Sequence, residues 1–196
     1  MLLTTIKNYD VILASGSPRR RQLLAEMDIP FRVITVPVEE TFPEELAPEE
    51  AAACLCRLKS MAFPDNDLKE NTLLITADTL VTLNNNILGK PSDEKEAAEI
   101  LRLLSGNKHQ VITGVCLRLG KRMKVFTSST TVFFKSLSEE EIDYYVKQYK
   151  PLDKAGAYGI QEWIGHAAIT KIEGPYFNVM GLPTQRLYEE LTAFLP

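Results

Sequence analysis

Residues 10–28 read DVILASGSPRRRQLLAEMD, a short apolar run ending in small residues, followed by a segment that carries Leu23, Leu24 and Met27 at helical spacing. The pattern is strand, tight turn, helix. Pro18 suits the first helical position, where its missing N–H would be an orphan anyway, and Ser17 before it can accept from the freed amides as an N-cap. Working outward, a second apolar stretch from Phe31 to Val38 runs into Glu39 and Glu40. From Pro48 to Phe63, PEEAAACLCRLKSMAF reads as a helix with acidic residues in its first turn, where the helix dipole favours them, and it stops before Pro64.

Thr72 to Leu83 (TLLITADTLVTL) is the most strand-like segment, interrupted by one carboxylate, Asp78. Asn84-Asn85-Asn86 is a turn signal after which Ile87 and Leu88 pair back as a hairpin arm. Ser92 to Leu104 reads as a helix capped by Ser92. Two β-rich runs, His109 to Leu119 and Arg122 to Phe134, join around Gly120-Lys121 as an antiparallel hairpin. A capped helix over Ser138 to Tyr149, a glycine-rich irregular stretch from Lys150 to Gly165 and a last helix over Pro183 to Leu195 complete the chain. Strands alternating with helices predict an α/β fold, and the intruding hairpins predict mixed strand directions.

Composition closes off several classes. With 196 residues, 45% hydrophobic and 24% charged, and a net charge of −4, the chain is long enough to bury a sizeable core and too apolar to be disordered. No run of eighteen apolar residues spans a membrane, and the N-terminus lacks the pattern of a signal peptide, so a cytoplasmic location is the default expectation. Cys54, Cys56 and Cys116 show neither a C-x-x-C pair nor zinc-finger spacing and read as reduced, mostly buried thiols. The acidic balance offers no global field for nucleic acid or an anionic membrane, so an anionic partner must be captured by a local cluster.

Ser15-Gly16-Ser17-Pro18-Arg19-Arg20-Arg21 is such a cluster, placing hydroxyls, helix-terminal amides and guanidinium forks where phosphate oxygens could dock. Its alternative is a capped helix with a solvated basic first turn, although arginines there oppose the helix dipole. Asp78 reads either as a metal ligand or general base, or as an edge-strand aspartate facing water. Lys59 lies mid-helix, where a solvated lysine is the ordinary reading. Lys90 follows the hairpin that begins with Asp78 and is not part of a P-loop, since Pro91 stands where that motif needs Ser or Thr. In Asp153–Gln161 (DKAGAYGIQ), small residues around one tyrosine suggest close backbone approach to a ligand, with Gln161 offering a donor and an acceptor to a base edge, or else a mobile surface loop. No Ser or Cys stands in a nucleophile elbow, which disfavours a Ser-His-Asp hydrolase.

Taken in order, ILASGSPRRRQLL (Ile12–Leu24), ITADTLV (Ile75–Val81), LGKP (Leu88–Pro91), LSGNKHQVITGV (Leu104–Val115), PLDKAGAYGIQ (Pro151–Gln161) and NVMGLP (Asn178–Pro183) closely resemble the Maf family of nucleoside triphosphate pyrophosphatases. The resemblance covers essentially the whole chain. It implies an elongated α/β fold, similar to that of inosine triphosphate pyrophosphatases, with a mixed twisted sheet and flanking helices. It also implies a single Maf-like domain over residues 1–196, made of two lobes around a nucleotide cleft. The reaction implied splits a nucleoside triphosphate into monophosphate and pyrophosphate with Mg²⁺ or Mn²⁺. By position, the family's catalytic base falls on Asp78, with Ser15, Arg19, Arg20, Glu40, Lys59 and Lys90 as polar substrate-binding residues, and with Asp78 and Glu40 as metal ligands. Arg19, Thr79 and Gln161 are similar to the branch acting on dTTP and UTP, whereas Glu162-Trp163 departs from the glycine many relatives carry after the glutamine. The partner implied is a small-molecule nucleoside triphosphate, without nucleic acid or membrane, and a homodimer stays open. The same chemistry on another base (7-methyl-GTP, a purine or a modified pyrimidine nucleotide) and a nucleotide-binding regulator of septum formation are the alternatives.

Overall fold

Strand β1 (Asp10–Leu13) pairs in parallel with β2 (Arg32–Val33) on one side and with β3 (Thr72–Leu83) on the other. These pairings come from a computed structural model that describes residues 1–43, 45–65 and 68–195. Ahead of β1 lies a short helix, α1 (Leu2–Thr5); between β1 and β2 lies α2 (Pro18–Ala25), and between β2 and β3 lies α3 (Pro48–Met61). As the sequence predicts, the Ser17 hydroxyl accepts from the Arg20 amide at the start of α2, with Pro18 in its first turn.

The second apolar run pairs over two residues only, not from Phe31 to Val38. Ile34 and Val36 turn inward against Ile12, Phe63 and Leu74, and Pro37 has no N–H to extend a ladder. Burial outcompetes strand propensity there.

β3 continues through Asn84 and Asn85, both at positive φ (51° and 65°), into β4 (Asn86–Leu88), which pairs antiparallel with it. Two central turn residues at positive φ match the right-handed twist of the arms. α4 (Glu94–Leu104) starts one residue later than Ser92 would have it, because Asp93 is the cap, accepting from the Glu96 amide at 2.8 Å. Ser92 instead donates its amide and hydroxyl to the Glu96 carboxylate.

β5 (Lys108–Leu119) and β6 (Arg122–Phe134) are sheet neighbours joined at Gly120 (φ 55°), and α5 (Glu139–Tyr149) is capped by Ser138 as expected. After two single 3₁₀ turns come α6 (Trp163–Ala168), β7 (Ile169–Glu173), α7 (Tyr176–Val179) and α8 (Thr184–Phe194). The sequence reading did not assign α1, α6, β7 or α7. Among the described residues, seven strands form one mixed sheet in the order β2-β1-β3-β5-β6-β7, with β4 on β3. No helix among the described residues is long and apolar enough to cross a membrane.

The chain divides into two compact units. The first comprises residues 1–78, 113–128 and 181–196, with Ile12, Leu24, Leu55, Leu74, Leu117 and Leu187 in its core. The second comprises 79–112 and 129–180, with Val81, Leu101, Phe134, Ile142, Tyr145 and Tyr158 in its core.

Candidate active site

In the first unit, alternation along β3 turns Thr76 and Asp78 to the same face. Thr76 Oγ1 donates to the Cys56 carbonyl of α3 at 2.6 Å, so this face of the strand lies under that helix. Two further ties set the position of α3. Arg118 Nη1 donates to the Ser60 carbonyl at 3.0 Å, a cation at the helix C-terminus where the dipole favours it. At Gly114 a Cβ would meet the Ala52 carbonyl oxygen at 2.2 Å, so only glycine admits the helix backbone this close.

α3 thereby delivers Lys59 to Asp78. Lys59 Nζ donates to Asp78 Oδ1 and lies 2.8 Å from Glu40 Oε1. The Lys59 and Asp78 side chains are only 16% and 10% exposed, whereas Glu40 is 44% exposed. A carboxylate this buried needs a cationic partner, and the ammonium supplies one. The solvated reading of Lys59 and the water-facing edge-strand reading of Asp78 are both overturned by this burial and pairing.

Half-buried Arg20 emerges from the first turn of α2. Its Nε donates to the Gly181 carbonyl at 2.8 Å and its Nη1 to Ser15 Oγ at 3.3 Å. Ser15 Oγ also accepts from the Ser17 amide at 3.3 Å. Burial lowers the Arg20 pKa from its ordinary value, and the charges of Asp78 and Glu40 act in the opposite direction, as does Cys56 more weakly, while neighbouring Arg19 lowers it further. The guanidinium is thus in the same electrostatic neighbourhood as both carboxylates. This fork explains how arginines tolerate a first helical turn: Arg20 folds back onto a carbonyl from the C-terminal Asn178–Pro183 block.

Among the described residues, no group of three or more His, Cys, Asp or Glu could hold a metal alone. Two carboxylates on one ammonium do suit a hard divalent cation that keeps several water ligands and takes phosphate oxygens from a substrate. The buried thiols belong to this unit too. Burial pushes Cys56, on α3, up to about 12 and raises Cys116, on β5, as well, so both are inert thiols.

The remaining candidates lie in the second unit. Thr79 and Val81 share a face of β3, and Val81 packs so closely on Gly156 (φ 71°) that a Cβ there would meet it at 2.8 Å. The Gly156 amide donates to the Gly89 carbonyl at 3.1 Å, linking the Gly89-Lys90 turn to the loop that ends at Gln161. Lys90 and Gln161 are both exposed. That loop is pinned by Tyr158, whose hydroxyl lies 2.8 Å from His109 Nε2 and whose ring meets His109 and Phe134 edge-on. Burial pulls the His109 ring down to about 4, so at neutral pH it is uncharged.

The family model for Maf-like proteins matches residues 10–194. The chain belongs to the Maf family. Among curated relatives, a protein of Porphyromonas gingivalis named dTTP/UTP pyrophosphatase is 49% identical over 195 residues, covering 98% of each chain. One of Christiangramia forsetii with the same name is 50% identical over 195 residues, covering 100% of this chain and 99% of that one. A solved structure, that of the Staphylococcus aureus Ham1 protein, aligns with 64% of this Maf chain and 71% of its own at 18% identity and a TM-score of 0.46.

Sequence reasoning singled out Asp78 and Arg20 in this Maf chain but not what holds them. The Thr76–Cys56 and Arg20–Gly181 contacts join residues 20 and 161 positions apart. Only the glycines carried a hint, since an obligate glycine often marks close backbone approach.

Proposed function

We propose that this protein hydrolyses dTTP and UTP to the nucleoside monophosphate and pyrophosphate, with Asp78 as the general base. One observation carries the mechanism. A buried strand carboxylate, Asp78, is grouped with Lys59 and Glu40 in a unit that also holds the Ser15–Arg20 fork. The two pyrimidine nucleotides are those named for relatives at about half identity over the full length.

Arg19, Arg20 and Lys59 neutralise the triphosphate, with Lys90 adding a further cation. Arg20 presents a planar fork already fixed by Gly181, so little entropy is lost when it meets phosphate oxygens. Asp78 and Glu40 would hold Mg²⁺ or Mn²⁺, which when bound supplies charge neutralisation for the phosphate oxygens. Asp78 accepts a proton from the attacking water; an oxygen–phosphorus bond forms as the bridge between the α- and β-phosphates breaks, and pyrophosphate leaves. Lys59 holds the Asp78 carboxylate in one orientation, as a positioned base requires. Arg19, Thr79 and Gln161 set the preference for the base.

Pyrophosphate release from dTTP, UTP, CTP, ITP, 7-methyl-GTP and ATP with Mg²⁺ or Mn²⁺ tests the reading. Preference for dTTP and UTP supports it. Release from another base keeps the chemistry and overturns the specificity. No release from any nucleotide favours a binding role in septum formation.

A further inference from the structure

The turn that carries Gln161 is clamped from behind by groups with no place in the mechanism above. Tyr145, fully buried on α5 and stacked on Tyr149, accepts from the Gly159 amide at 3.0 Å and donates its hydroxyl to Glu162 Oε2. The other carboxylate oxygen of Glu162 lies 3.2 Å from Nζ of Lys154, itself 8% exposed and paired with Asp153 at 2.7 Å. Burial and the Glu162 carboxylate raise the Tyr145 pKa well above the ordinary phenol range, so the hydroxyl keeps the proton it donates.

Backbone contacts close the same turn. The Glu162 amide donates to the Gly159 carbonyl at 3.0 Å, and the Gly165 amide to the Glu162 carbonyl at 2.9 Å. A Cβ on Gly159 would strike the Glu162 carboxylate at 2.8–3.0 Å, and one on Gly165 would meet the Ile160 carbonyl oxygen at 1.8 Å. Gly165 is thus required by the backbone of the turn, whereas a side chain at Gly159 would displace the Glu162 carboxylate from its place. Gln161 stands exposed between buried Ile160 and anchored Glu162.

Chemistry supplies the reason for such anchoring. A glutamine amide can pair with the N3–H and O4 edge of uracil or thymine, and after a half-turn with the N3 and N4 edge of cytosine. Discrimination therefore depends on how firmly the side chain is held, not on its identity alone. We propose that Tyr145 and Glu162 are positioning residues that fix Gln161 for recognition of the pyrimidine edge. This rests on the assignment of Gln161 to base recognition above.

The test compares Tyr145→Phe and Glu162→Gln, each alone and combined with Gln161→Ala, by pyrophosphate release from dTTP and CTP with melting temperature recorded. Each single variant is expected to raise KM for dTTP about tenfold, since Tyr145→Phe removes the hydrogen bonds to both Glu162 and the Gly159 amide and Glu162→Gln removes the charge that faces Tyr145 and Lys154, with kcat within about twofold. The preference for dTTP over CTP should fall by a similar factor, and neither change should add to that of Gln161→Ala. Loss of kcat at unchanged KM, effects additive with Gln161→Ala, or no change in preference overturns the proposal. So does failure of both variants to fold, which would make the network purely structural. If Gln161→Ala alone leaves the preference intact, the assignment of Gln161 falls with this proposal while hydrolysis stands. If the wild-type chain releases no pyrophosphate at all, the functional reading itself has failed.

Discussion

Lys59 and Asp78 are hydrogen-bonded to each other in the first unit, one delivered by α3 and the other by β3, and both side chains are largely withdrawn from water. An ammonium at this position stabilises a carboxylate that burial would otherwise penalise, and in the proposed mechanism it also meets the phosphate charge.

Lys59→Met separates those effects. Leaving Asp78 and Glu40 without the ammonium should destabilise the fold by about 2 kcal/mol, less than for a fully buried pair because Glu40 stays near water. It should also reduce kcat/KM for dTTP at least about tenfold. Chemical denaturation and steady-state kinetics check both. An unchanged denaturation midpoint would show that water or another cation compensates Asp78.

Arg20→Lys tests the fork. A lysine can donate to the Gly181 carbonyl or to Ser15 but cannot span both as the guanidinium does at 2.8 and 3.3 Å. KM for dTTP should rise about tenfold, with a small change in melting temperature. An unaltered KM would remove Arg20 from the binding site.

Gly114→Ala acts at a distance. Its methyl group would overlap the Ala52 carbonyl, pushing α3 off the sheet and Lys59 away from Asp78. Overpacking of this kind costs about 1–3 kcal/mol, and activity should fall alongside stability. A variant as stable and active as the parent would show that α3 shifts freely.

His109 gives the fold a pH dependence. Burial lowers its folded-state pKa to about 4 from an unperturbed 6.5, so the unfolded chain takes up a proton first as pH falls. The stability this site contributes is complete above about pH 6.5 and is lost progressively as pH drops towards 4, by on the order of 3 kcal/mol in total. His109→Gln should flatten the dependence of unfolding free energy on pH across that window. An equally steep dependence in the variant would assign it to other groups.

Much of the fold was legible because local signals agreed with the packing. Ser17 and Ser138 cap their helices as predicted, and Asn84-Asn85 makes its hairpin turn. Where they competed, packing won: the second apolar run stops pairing after Ile34, whose side chain packs with that of Val36 into the core, and Asp93 displaces Ser92 as cap because its spacing to Glu96 is the one that fits. β7 (ITKIE) went unassigned because five residues with one weak alternation define a strand only once β6 is beside them. In the site, Asp78 stood out as a charge in an apolar run, whereas Lys59 looked like any mid-helix lysine. Only the pairing of distant segments distinguishes it. The same holds for Tyr145 and Glu162, 17 residues apart, whose hydrogen bond has no signature along the chain.

The most direct measurement is the single-turnover rate of pyrophosphate formation from dTTP with Mg²⁺ in the Asp78→Asn variant, beside the wild-type chain and with melting temperature as a control. A rate lower by at least about 10²-fold in a folded variant is predicted, the lower bound for loss of a positioned general base. A folded Asp78→Asn protein that releases pyrophosphate at close to the wild-type rate would contradict the assignment of Asp78 and with it the proposed mechanism.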